Sequence, residues 1–211
     1  MSSTGYFQYN LRAVVHSGAG SIIRIPALMQ GLGARRVLLI SDAGLKQVGV
    51  VDRVAATFDT WQSGTMPALA GIYDEITPDA GGNCVNACMA YARSIAADAI
   101  VAVGGGSVMD AAKAVKYGLH HQILDINEAL QGGIKMDSWP AAQHMGIPHL
   151  AVPTTAGTGA EVSAAAVIFD EVNDLKKGLV APFLEADIAV LDAQLTTGLP
   201  PGLTASTGMD A

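Results

Sequence analysis

The chain has 211 residues, with 12 basic and 19 acidic side chains for a formal net charge of −7, and half of it is hydrophobic. That length suits one good-sized domain, or a domain and a piece of another, and the apolar share is ample for a core. The acidic balance and the lack of any basic run exclude a nucleic-acid surface. No stretch reaches the ~18 uninterrupted apolar residues of a membrane span. The opening MSSTGYFQYN lacks the charged and apolar regions of a secretory signal, so a cytoplasmic location is expected.

In chain order, Tyr6 to Val15 alternates in part and reads as an initial strand, Gly18 and Gly20 mark a turn, and Ser21 to Gln30 reads as a short helix. Val37 to Ile40 is a short buried strand ending at Ser41-Asp42. Gly49 to Phe58 has helical periodicity, and Leu69 to Tyr73 is the next strand, followed by the turn-rich TPDAGG. Asn83 to Ala97 predicts a helix, Ile100 to Val103 a strand, and Ser107 to Gly118 a second helix. His120 to Gln143 is less regular. His149 to Val152 is a short buried strand, Val162 to Phe169 another, Asn173 to Lys177 a polar turn, and Ile188 to Leu191 a further strand. After Pro200-Pro201 a helix begins near Leu203. Repeated β-α units of this length predict an α/β fold with a doubly wound parallel sheet. Cys84 and Cys88, four apart on a helix, read as reduced buried thiols rather than a metal site.

Two glycine-rich turns carry the functional signal. DAIVAVGGGSVMDAAK, Asp98 to Lys113, is an apolar strand, three glycines and a helix start. Glycines tolerate positive φ and let a ligand approach the backbone. Ser107 as N-cap, with Asp110 three residues on, would form a variant capping box. The free N–H groups and positive dipole end of that helix suit a phosphate, although a plain strand-to-helix turn fits the residues equally. Met109 stands where the third glycine of the dinucleotide fingerprint would be, and no Gly-Lys-Ser/Thr follows. PTTAGTGAEVS, Pro153 to Ser163, offers the hydroxyls of Thr154, Thr155 and Thr158 alongside Gly157 and Gly159. Two such loops after apolar strands fit a ligand crevice at the carboxyl ends of a sheet.

GGGSVMDAAK and PTTAGTGAEVS resemble two signatures of the iron-containing (group III) alcohol dehydrogenases, of the dehydroquinate synthase-like superfamily, and DAQLTTGLPPGLTASTGMDA, Asp192 to Ala211, resembles a third. The resemblance implies a Rossmann-like nucleotide-binding domain over 1–198, with 199–211 opening an all-helical metal-binding domain. It implies that Gly105, Gly106 and Ser107 contact a pyrophosphate, that Thr154, Thr155 and Thr158 lie near phosphate and nicotinamide ribose, and that Ser163 and Lys177 add contacts. Lys177 reads equally as a surface charge. Asp79 stands where the family often has Asn, and its charge weakens dinucleotide binding unless a donor offsets it. Asp42, ending a strand, reads either as the ribose carboxylate that selects NAD over NADP or as a helix N-cap.

By the same resemblance Asp210 is the first metal ligand, with three histidines of the helical domain completing a site for Fe2+ or Zn2+. The histidines of this chain, His16, His120, His121, His144 and His149, all precede Asp210 and read as surface or loop residues. The chain alone is therefore expected to hold no iron and to have no catalytic residue of its own. The helix near Leu203 is expected to lose its partners and fray. The implied activity is hydride transfer between NAD(H) and a small alcohol, aldehyde or ketone, in a homodimer. The alternatives are a non-catalytic NAD-binding product, a maleylacetate reductase or a hydroxyacid–oxoacid transhydrogenase.

Overall fold

In the computed structural model, which describes residues 11–60, 64–130 and 143–211, the short apolar runs pair into one sheet. Its strands are β1 (Val14–Ser17), β2 (Arg36–Ile40), β3 (Ala68–Tyr73), β4 (Ala99–Gly104), β5 (His149–Pro153) and, further on, β8 (Ile188–Leu191). The order is β1-β8-β5-β4-β2-β3, and every pairing is parallel. The strand expected over Tyr6 to Val15 is realised from Val14 onward, while its first half lies outside the described residues.

The hydrophobic pattern accounts for this arrangement. A parallel strand covered by helices on both faces reads as a continuous apolar run, and β4 is buried at all six positions. Its residues alternate between two cores. Ile100 and Ala102 face one core with Leu38 and Ile40 of β2. Ala99, Val101 and Val103 face the other with Val37 and Leu39. The first core is filled by helices α4 (Gly82–Ser94) and α5 (Gly106–His120), through Val85, Cys88, Met89, Met109 and Val115. The second is filled by α1 (Ile25–Gly31) and α3 (Val50–Ala55), through Ile25, Met29, Val51 and Val54. Each such aliphatic side chain contributes about 1.5–3 kcal/mol on burial. The short α2 (Ala43–Gln47) follows β2, and α6 (Ile126–Leu130) follows α5.

A two-stranded antiparallel hairpin, β6 (Ala165–Asp170) and β7 (Leu175–Val180), lies outside the main sheet and covers α5. It corrects the expected polar turn at Asn173 to Lys177. The turn occupies 171–174, and Leu175 already begins β7. Lys176 and Lys177 made the strand read as a loop, because only Leu179 of β7 reaches the core. The Asp170 side chain builds the turn, accepting from the backbone N–H of Val172 and Asn173 and from Asn173 Nδ2. Hydrogen bonds from Lys177 and then Asn173 hold its carboxyl well below the usual range. Helix α7 (Pro201–Asp210), where fraying is expected, is helical and has no buried residue. Among the described residues no helix is long and apolar enough to cross a membrane.

His149 departs from the surface position expected of it. It opens β5 opposite Ile100 and is 1% exposed, because β5 is covered on both faces. Neither ring nitrogen has a hydrogen-bond partner among the described residues. Burial first, and then the nearby Lys116 and Lys113 of α5, push its pKa well below the ordinary value of about 6.5. The folded protein thus keeps this imidazole neutral where the unfolded chain takes up a proton. Stability is full above about pH 6.5 and is lost as the pH falls toward the folded-state pKa. We expect the urea midpoint to drop between pH 7.5 and pH 5.5, with a shallower drop in His149→Leu. Parallel slopes for the two proteins would show that His149 does not carry the acid sensitivity.

Candidate cofactor site

The sheet order sets where a ligand can lie. From β2 the chain moves outward to β3, and from β4 it moves the opposite way to β5. The carboxyl ends of β2 and β4 therefore flank a crevice at the point where the strand order reverses, which is where open α/β sheets bind ligands. The ends are tied together: the Ser41 hydroxyl, buried after β2, donates to the Val103 carbonyl at 2.8 Å. Thr154 N–H, after β5, donates to the Gly104 carbonyl at 2.9 Å.

The glycine turn between β4 and α5 differs from the expected one in two ways. Its N-cap is Gly105, and Ser107 sits inside the helix, where its hydroxyl accepts from Asp79 N–H at 3.0 Å. Asp110 likewise does not cap but faces Lys113 and β6. Helix α5 therefore begins with no side-chain cap, and among the described residues no side chain accepts from its first-turn N–H groups, which lie at the carboxyl end of β4. Nor is positive φ the reason for glycine here, since Gly105 is extended at φ −86° and only Gly157 and Gly159 of the threonine loop are left-handed. The reason is close approach. A Cβ on Gly104 would lie 2.5 Å from Val108, one on Gly105 3.3 Å from Thr155 Oγ1, and one on Gly106 3.2 Å from Thr158 Cγ2. The two loops, separate in sequence, thus form two touching walls.

The remaining predicted residues surround these walls. Thr154 is buried, Thr155 half-buried and Thr158 exposed. Asp42 acts as the N-cap of α2, accepting from Leu45 N–H at 2.9 Å, and lies half-buried at the crevice edge. Asp79 is left-handed at φ +64°, and its exposed carboxylate pairs with Lys176 at 2.7 Å, which offsets the added charge. Ser163 Oγ meets Lys113 Nζ at 3.1 Å. Lys177 is neither a free surface charge nor open to the crevice, because its ammonium pairs with the buried Asp170 carboxylate at 2.6 Å. Sequence reasoning missed Lys176, Ser41 and Lys113. The apolar context of Lys113, within DAAKAV, is the signal that could have shown it to be buried.

Asp210 lies at the exposed end of α7, and the threonine loop reaches it. A Cβ on Gly157, at φ +145°, would collide with the Thr207 carbonyl oxygen and come 3.3 Å from Asp210 Cβ. Among the described residues no group of three or more His, Cys, Asp or Glu could hold a metal ion. A lone exposed carboxylate is a poor donor set for a divalent transition metal, so the residues present do not fit one.

The family model described as iron-containing alcohol dehydrogenase matches residues 13–193. The chain is similar to a sulfoacetaldehyde reductase of Bilophila wadsworthia, 31% identical over 98% of this chain and 50% of the relative. It is similar to a 4-hydroxybutyrate dehydrogenase of Cupriavidus necator, 34% identical over 93% of this chain and 48% of the relative. Among solved structures, a sulfoacetaldehyde reductase from Bifidobacterium kashiwanohense in complex with NAD+ superposes with a TM-score of 0.84 at 26% identity, over 98% of this chain and 51% of that one. The chain spans about half the length of the curated relatives it matches.

The contact at Gly157 gives a direct test of this geometry. An alanine there would be strained by φ and would meet α7 backbone. We expect Gly157→Ala to cost about 1–3 kcal/mol of stability in urea unfolding. A change within about 0.5 kcal/mol, the ordinary surface value, would show that α7 does not rest on this loop.

Proposed function

Because this chain belongs to the iron-containing alcohol dehydrogenase family, we propose that it forms the dinucleotide-binding part of an NAD-dependent oxidoreductase acting on a small alcohol and its aldehyde or ketone. The observation that carries this reading is the uncapped start of α5, facing the threonine loop at the reversal point of the sheet. We assign residues 1–198 to the dinucleotide-binding domain and 199–211 to the opening of a helical domain. Homodimer assembly and a cytoplasmic location belong to the same proposal.

Bound NAD would supply the hydride acceptor or donor. The first-turn N–H groups of α5 at Gly106 and Ser107 would hold its pyrophosphate, with Gly105 leaving room for the backbone approach. Thr154, Thr155 and Thr158 would line the side toward the nicotinamide. Asp42 would accept the adenosine ribose hydroxyls while capping α2, so the two meanings of this residue are compatible. Asp79, neutralised by Lys176, would border the pyrophosphate beside Ser107. Ser163 and Lys177 would shape the outer wall, since their polar atoms already engage Lys113 and Asp170. Asp210 would contribute one ligand to a shared iron or zinc site, and this chain's donors support no step through a metal.

NADH fluorescence titration tests the reading: saturable binding is expected, with NADPH at least tenfold weaker. Asp42→Ser keeps a capping oxygen for Leu45 N–H but removes the charge that repels a 2′-phosphate. We expect this variant to narrow the NADH-to-NADPH affinity ratio at least tenfold with little change in thermal midpoint. An unchanged ratio would remove Asp42 from cofactor choice, and no NADH binding by the parent protein would overturn the function.

A further inference from the structure

Lys113 lies two turns into α5 and is 1% exposed, one of the largest fully buried side chains of the molecule. Its ammonium has three donors, and three acceptors surround it: Asp110 Oδ1 at 3.0 Å, Ser163 Oγ at 3.1 Å and the Ala165 carbonyl oxygen at 2.5 Å. The other oxygen of Asp110 accepts from Val167 N–H at 2.9 Å. Ala165 and Val167 are i and i+2 on β6, so their polar groups lie on the strand edge turned toward α5. Two side chains one turn apart on the helix therefore serve that edge as a neighbouring strand would.

This clamp has a consequence for the threonine loop. The loop leaves β5 with Thr154 N–H bonded to the Gly104 carbonyl, and it ends at Ser163 and Ala165, held by Lys113. Both of its ends are thus fixed to the strand-turn-helix unit that carries the glycine turn. Between them, Thr155 and Thr158 sit against Gly105 and Gly106 with almost no slack. An apolar side chain of similar volume would fill the space of Lys113 and is often no less stable than a buried ion pair. It would not fix the strand edge in one register against the helix.

We infer that the buried Lys113–Asp110 pair is a positioning device that sets the threonine loop against the glycine turn for the nicotinamide and pyrophosphate end of the dinucleotide. This rests on the NAD reading above and adds to it two residues whose polar atoms are engaged within the protein. Because the pair acts on one wall only, the adenosine end, beside Asp42, does not depend on it.

The test is a split between two ligands on Lys113→Met and Asp110→Asn. NADH, which spans both ends, and AMP, which needs only the adenosine end, are titrated against each folded variant well below its unfolding midpoint. We expect Lys113→Met to weaken NADH at least tenfold while AMP stays within twofold, and Asp110→Asn to show the same split. Unchanged NADH affinity in both variants would overturn the inference, and so would equal weakening of NADH and AMP, which marks a general structural role. Loss of fold in both would equally assign the pair to stability alone. If the parent protein binds neither ligand, the NAD reading itself fails and takes the inference with it.

Discussion

The backbone after β4 lies tight against its neighbours, too close for a Cβ at Gly104 and tighter than an ordinary Cβ contact at Gly105 and Gly106, and the rest of the crevice depends on that. Gly104 packs on Val108, Gly105 on Thr155 and Gly106 on Thr158. A methyl group at Gly104 would collide with Val108 in α5, and one at Gly105 or Gly106 would press on Thr155 or Thr158 of the loop after β5. The glycines thus define the width of the crevice more than they relieve backbone strain. That width in turn leaves the α5 N–H groups uncapped yet confined, because Ser107, the obvious cap, is turned away to receive Asp79 N–H.

Electrostatics tighten the same region. The chain is acidic overall, yet the core behind the crevice holds Lys113 and Lys116, both fully buried on α5. Burial lowers the pKa of each, and the carboxylates of Asp110 for Lys113 and Asp187 for Lys116 oppose that effect. Lys116 Nζ donates to the Glu185 carbonyl and lies 3.9 Å from Asp187 Oδ2, and Asp187 also receives His149 N–H. Helix α5 is thus bound by its polar side chains both to the hairpin at its start and to the segment before β8 further along. A helix tied at both places is held in a fixed position against the sheet, which the proposed role of its N-terminus in holding a cofactor would require.

The parts of this arrangement that follow from local sequence were legible. The alternating β-α units, the buried runs at Val37 to Ile40 and Ile100 to Val103, and both glycine-rich loops were readable, because the period of apolar residues and the punctuation by glycine depend on neighbours in the chain. What was not legible arises between distant segments. The hairpin strand β7 has a polar sequence because most of it faces away from the core, so periodicity gave no sign of it. The strand from His149 was legible, but its histidine still reads as a surface or loop side chain, because one histidine carries no mark of burial and only the sheet order shows that this strand is central. The contact of Lys176 with Asp79 joins residues 97 positions apart. No local pattern distinguishes Lys176 from Lys177, which turns to Asp170 instead.

Asp42 shows why the two ways of reading a single residue need not compete. Helix α2 has only five residues and buries none of them, so its start depends on the cap. A capping carboxylate is held with one oxygen on Leu45 N–H and with χ1 fixed by that bond. The same restraint fixes where its charge stands relative to the crevice at the end of β2. A freely rotating carboxylate would lose rotamer entropy on accepting a ribose and could turn aside from a 2′-phosphate. A capped one can do neither. On the proposed reading of Asp42, local structure and cofactor choice would draw on one hydrogen bond, and the short, unburied helix after β2 starts at the residue that accepts it.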